Sequence, residues 1–97
     1  MSVWFVSRHP GAVAWAKKQG LAIDHWVTHL DVEQVRRGDT VIGILPMPAA
    51  AAVCAKSARY FALKINLTEN LRGKELTEDE LDALNCSLQE YVVRPVT

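Results

Sequence analysis

Val3-Trp4-Phe5-Val6-Ser7-Arg8-His9-Pro10-Gly11 is the stretch whose reading decides the fold. Its first four residues are apolar on both parities, the pattern of a strand buried on both faces and so central in a sheet. The run stops at three hydrogen-bonding side chains. Pro10 then suits the first turn of a helix, where its missing N–H has no intrahelical acceptor in any case, and Gly11 lets other groups approach the backbone. Ser7, Arg8 and His9 are therefore predicted between the carboxyl end of a strand and the amino end of a helix, where α/β proteins hold anionic ligands.

Working outward, residues 10 to 19 read as a helix with Ala12, Val13, Trp15 and Ala16 on one side and Ala14, Lys17 and Lys18 on the other, ended by Gly20. The two lysines complement the negative end of the helix dipole and are read as a solvated face. Residues 23 to 30 form a second strand of mixed parity, an edge. His25 and His29 on it are separated by roughly 13 Å, too far to share one ion. His29 near the strand end is read either as a ligand contact or as a partly exposed histidine. Asp31-Val32-Glu33-Gln34 has the form of a capping box with Leu30 and Val35 as its staple, opening a short helix that stops at Gly38.

Residues 40 to 45 are again apolar on both parities, a second central strand in which Gly43 permits close packing. Pro46-Met47-Pro48 launches a helix of small residues over 49 to 58, suited to packing on the sheet, to contact with a second subunit, or to access by a ligand. Residues 59 to 67 read as a fourth strand, half exposed. A second capping box, Thr77 to Glu80, opens a helix whose apolar face carries Leu81, Leu84, Leu88 and Tyr91. The tail from Tyr91 to Thr97 is β-prone, with Pro95 confining it to an edge or a subunit contact.

Composition bounds the rest. Ninety-seven residues suit one domain over 1–97, and 11 Lys+Arg against 11 Asp+Glu lack the strong positive field of a duplex-DNA binder. No apolar run approaches the roughly 20 residues that cross a bilayer, and Met-Ser-Val-Trp is neither a signal nor a transit peptide, so a cytoplasmic location without membrane attachment is expected. Cys54 and Cys86 form no C-x-x-C and are expected as buried free thiols, neither a disulfide framework nor a zinc site. No cofactor or metal is expected.

Strands alternating with helices predict an α/β domain with a mostly parallel sheet and helices on both faces, a three-layer sandwich. Placing the doubly apolar strands centrally and the mixed ones at the edges gives the order 2-1-3-4. Strands one and three then adjoin with their connections leaving in opposite directions, a topological switch point outside which ligands bind. Ser7, Arg8, His9 and Gly11 come to it from one strand and Pro46 and Met47 from the other, flanked by Thr28, His29 and Asn66. Arg8 offers a planar fork of donors to phosphate, His9 exchanges a proton near neutral pH, and Ser7 supplies a hydroxyl. There is no G-x-x-x-x-G-K-[ST], no G-x-G-x-x-G and no acidic cluster for magnesium, so phosphoryl chemistry is expected to be independent of metal.

The opening Trp4-to-Gly11 segment, Arg37-Gly38-Asp39-Thr40-Val41-Ile42-Gly43 with Leu45-Pro46, and the Thr77-to-Leu84 helix resemble a small accessory family of type III CRISPR systems, the Csx family numbered sixteen. The resemblance runs over nearly the whole chain. It implies a Rossmann-like fold related to the CARF domains that sense cyclic oligoadenylate, and a role similar to that of ring nucleases, which degrade this messenger and switch off the ancillary effectors. On that implication Ser7, Arg8 and His9 are the expected catalytic residues of a metal-independent phosphodiesterase acting on cyclic tetra-adenylate. A ligand with rotational symmetry suits a two-fold homodimer. Three rivals stand beside this reading: a protein that sequesters the ring uncut, an α/β interaction module, and a histidine phosphatase, to whose Arg-His-Gly the Arg8-His9 pair is similar. The last is weakened by Pro10 in third position and by the short chain.

Overall fold

The apolar run at the start of the chain lies where its pattern requires, between two other strands. The computed structural model describes residues 1–64 and 87–96. Within them the order is β1 (Val3–Val6), α1 (Pro10–Lys18), β2 (His25–Val27), a single 3-10 turn (Val32–Gln34), β3 (Thr40–Gly43), α2 (Met47–Ala55), β4 (Arg59–Lys64) and β5 (Ser87–Tyr91). They form one five-stranded sheet in the order β2-β1-β3-β4-β5. The first four strands are parallel and follow the expected 2-1-3-4, whereas β5 runs antiparallel to β4 as an added edge strand over residues read as helix; of the tail read as β-prone only Tyr91 belongs to it, and residues 92–96 are not strand.

Alternation along the central strands divides the core between two faces. Trp4, Val6, Val41 and Tyr60 point to the face covered by α2 and the 3-10 turn, where they meet Ala50, Val53 and Val35. Phe5, Ile42 and Leu63 point the other way, onto Ala12, Trp15 and Ala16 of α1. This is the three-layer arrangement with helices on both faces. Among the described residues no helix is long and apolar enough to cross a membrane.

Four local readings need correction. The segment read as a helical face through Leu88 and Tyr91 is strand there: Phe61 pairs with Glu90 and Leu63 with Leu88. The unpaired backbone groups along β4 outweigh a helical spacing of two residues, and β4 is interior as a result. The remainder of that helix, from Thr77, lies outside the described residues, as do the end of the fourth strand beyond Lys64 and Cys86. The short helix after Asp31 is a single 3-10 turn, with Asp31 Oδ1 accepting from the Glu33 N–H at 3.1 Å. The second strand keeps only three residues, and the chain then turns so that Leu30 packs on the same cluster as Val27 despite its opposite parity. Cys54 is free and half-buried, its sulfur accepting from the Val93 N–H.

At the amino ends of the strands one carboxylate organises the pairing. Asp39, 3% exposed, accepts from the Ser2 N–H (2.9 Å), the Arg36 N–H (3.0 Å) and the Trp4 indole N–H (3.2 Å). Trp4 in turn stacks on His25, ring centroids 4.1 Å apart. On the α2 side, Lys56 Nζ donates to the Val32 and Val35 carbonyls at 2.6 and 3.0 Å, tying the helix end to the 3-10 turn.

Burial raises the pKa of Asp39, but the donors from Ser2, Arg36 and Trp4 outweigh it and hold the group below its ordinary 3.8. A carboxyl lowered on folding stabilises fully above its unfolded pKa, and that contribution is lost as pH falls through the folded value. Asp39→Asn, which faces an amide N–H₂ toward at least one donor, is expected to cost about 2 kcal/mol near neutral pH. It should also flatten the loss of stability below about pH 4, as read by urea titrations across that range.

Candidate functional site

The connection from β1 to β2 leaves on one side and that from β3 to β4 on the other, so the carboxyl ends of β1 and β3 flank a topological switch point. Gly43 fixes how closely those ends meet. Its φ is +153°, and a Cβ there would sit on the Val6 carbonyl oxygen. Tyr60 holds the chain just beyond: its hydroxyl donates to the Gly43 carbonyl at 3.1 Å and accepts from the Leu45 N–H at 3.2 Å. One buried phenol from β4 thus shapes the turn that leaves β3.

At the end of β1 the ladder continues one residue beyond the strand, with the Ser7 N–H donating to the Val27 carbonyl at 3.0 Å. The Ser7 hydroxyl oxygen accepts from the His9 N–H at 3.0 Å, closing a tight turn and leaving its own proton to donate. His9 occupies the N-cap of α1, its carbonyl accepting from Ala12 and Val13, while Pro10 takes the first helical position. Ser7 therefore presents the turn as well as a hydroxyl. The half-buried His9 and the exposed Arg8 stand side by side at the helix amino end.

These three residues open onto a cleft of about 410 Å³ between α1 and the end of β2. Thr28 closes it from the strand side. Pro10, Val13, Ala14 and Lys17, spaced along one helical face, form its wall. Among the described residues its lining carries two permanent cations, Arg8 and Lys17, and no carboxylate. An apolar wall with cations at its margin suits a ligand that combines phosphates with flat, weakly polar groups.

The other expected contacts lie elsewhere. His29 is exposed beyond Thr28 and Gly11 is half-buried in the first turn of α1; neither lines the cleft. Pro46 is the N-cap of α2. Met47 lines a separate groove of about 590 Å³ with Ala51, Ala52 and Ala55 on one side and Val93 to Pro95 on the other. Asn66 lies outside the described residues. The cleft thus opens on the β2 side of the switch point, because β2 stops at Val27 and leaves the face of α1 uncovered there. Lys17, read from the sequence as a solvated charge, is a lining residue. The signal for it was available in the spacing, since residues 10, 13, 14 and 17 share a helical stripe that begins at the Ser7–His9 turn.

The family model described as "Putative CRISPR-associated protein (Cas_VVA1548)" matches residues 4–94. The chain belongs to this family. The match begins at Trp4 within β1 and takes in the other described strands and the whole described lining of the cleft, so this CRISPR-associated chain carries its Ser7–His9 turn and Lys17 inside the family's own span. No curated protein and no solved structure gave a significant match.

Two substitutions test how the strand ends are held. Tyr60→Phe removes both hydroxyl bonds and should cost about 1–2 kcal/mol in chemical denaturation. Gly43→Ala places a methyl against the Val6 backbone and should cost about 3 kcal/mol or more, or prevent folding.

Proposed function

We propose that this CRISPR-associated protein is a ring nuclease of type III systems that opens cyclic oligoadenylate, cyclic tetra-adenylate above all, and so switches off the effectors the ring activates. The observation that carries the reading is the convergence of Ser7, Arg8, His9 and Thr28 on one cleft with an apolar wall and a second cation, Lys17, at its margin. The resemblance to the Csx family numbered sixteen supplies the substrate class.

The reaction is intramolecular in the ligand. The ribose 2′-oxygen attacks the adjacent phosphorus and the bond from phosphorus to the 5′-oxygen breaks. The hydroxyl proton is given up, a proton is delivered to the leaving oxygen, and a 2′,3′-cyclic phosphate and a 5′-hydroxyl result. Two such cuts convert the tetra-adenylate ring to linear di-adenylates. The nucleophile comes from the ligand, so the protein's part is to align it and to stabilise charge. Arg8 grips the scissile phosphate, the Ser7 hydroxyl donates to one of its oxygens, and His9 protonates the leaving oxygen or orients the attacking hydroxyl. A ring with rotational symmetry is met by a two-fold dimer whose clefts face one ligand.

The test is incubation of the protein with cyclic tetra- and hexa-adenylate in EDTA, with products separated by chromatography. Multiple turnovers to short linear adenylates are expected, slowed roughly 10²–10⁴-fold by His9→Ala and at least as severely by Arg8→Ala. Tight binding without product makes the protein a sequestering one. Neither binding nor cleavage overturns the reading and leaves an α/β interaction module.

A further inference from the structure

Lys17 stands two turns from the amino end of α1 on the stripe that walls the cleft, and its ammonium lies 5.3 Å from the centre of the Trp26 ring. Trp26 belongs to the edge strand β2, packs on Phe5 with centroids 5.2 Å apart, and is 39% exposed. The other two tryptophans, Trp4 and Trp15, are 7% and 4% exposed. Lys17 is exposed and no acid pairs with it among the described residues: its ammonium rests on an open aromatic face, a contact weak enough at an exposed site to be exchanged for an anion.

Its position relative to Arg8 gives that exchange a meaning. Arg8 precedes the first turn of α1, and the stripe from residue 10 to residue 17 rises by about 10 Å. Two cations so placed along one wall match successive phosphates of a chain better than a single phosphate. The apolar side chains of Val13 and Ala14 lie between them. When Lys17 swings to a phosphate, the indole it covered becomes available for a base to stack on.

Resting on the ring-nuclease reading of this cleft, we propose that Lys17 and Trp26 form a second nucleotide subsite, Lys17 binding the phosphate next to the one held by Arg8 and Trp26 stacking on the adjoining base. Neither residue touches the reacting atoms. The subsite sets affinity, and it distinguishes an oligoadenylate from a mononucleotide.

The test uses 2′-fluoro cyclic tetra- and hexa-adenylate, which lack the attacking hydroxyl and so report binding alone, at a series of salt concentrations. Lys17→Gln keeps the stem and the helix propensity and removes the charge. It should weaken binding about tenfold and reduce the slope of log K against log salt by about 0.7, the value for one phosphate of a single strand. Lys17→Arg should restore the slope. With the natural rings, Lys17→Gln should raise KM while leaving kcat within about twofold, the split expected when binding is lost equally from ground and transition states. Trp26→Leu should weaken binding of the rings and leave the weak binding of adenosine monophosphate unchanged. Wild-type binding with an unaltered salt slope in Lys17→Gln overturns the subsite and leaves the ring-nuclease reading standing. A wild type that neither binds nor cuts the rings overturns both.

Discussion

The pairing of β1 with β3 is held at one end by a charge and at the other by the absence of a side chain, and the rest of the architecture hangs on it. Asp39 precedes β3, yet its three donors come from the residue before β1, from β1 itself and from the turn leading into β3. A buried carboxylate satisfied by that set allows one register only, because a slip by one residue would leave the charge without donors and turn every central side chain to the wrong face. The register it selects brings Val6 opposite Gly43, where only hydrogen fits against the carbonyl. The strand ends then meet closely, and the two connections must diverge from that point.

Much of this was legible because the signals were redundant. Two runs apolar on both parities, each followed by Pro and a helical pattern, admit few arrangements, and Val3–Val6 and Thr40–Gly43 are indeed neighbours at the centre of the sheet. What sequence could not weigh was the pull of one segment on another. Leu88 and Tyr91 are spaced for a helix, but β4 offers them a ladder, and a local propensity of a few tenths of a kcal/mol per residue yields to it. Tyr60 lies on the strand read as half exposed, residues 59 to 67. In the fold its ring is buried and its hydroxyl occupied, because β4 has a neighbour on each side.

The site divides along the same line. Ser7, Arg8 and His9 were identifiable because strand, turn and helix meet in one continuous segment, and continuous segments keep their neighbours when they fold. Pro46 and Met47 share the switch point with them in topology but not in space: α2 begins on the opposite face of the sheet and carries Met47 to its own groove. Lys17 was misjudged for a related reason. A lysine on the polar side of a helix is normally solvated, and what changes its role is the early end of β2, a property of another element.

Net charge is a poor guide to such a site. Eleven acids balance eleven bases over the chain, a composition without a long-range field. Within the cleft the balance is local, with Arg8 and Lys17 along one wall and no carboxylate among the described lining residues. A duplex presents its charges over many turns and rewards an extended basic face, whereas a small polyanion rewards two or three cations at fixed spacing in a place from which acids are kept out. The near-neutral chain and the cationic cleft are therefore no contradiction: among the described residues Asp31 holds a cap and Asp39 a strand end, and the cleft lining is left to the bases.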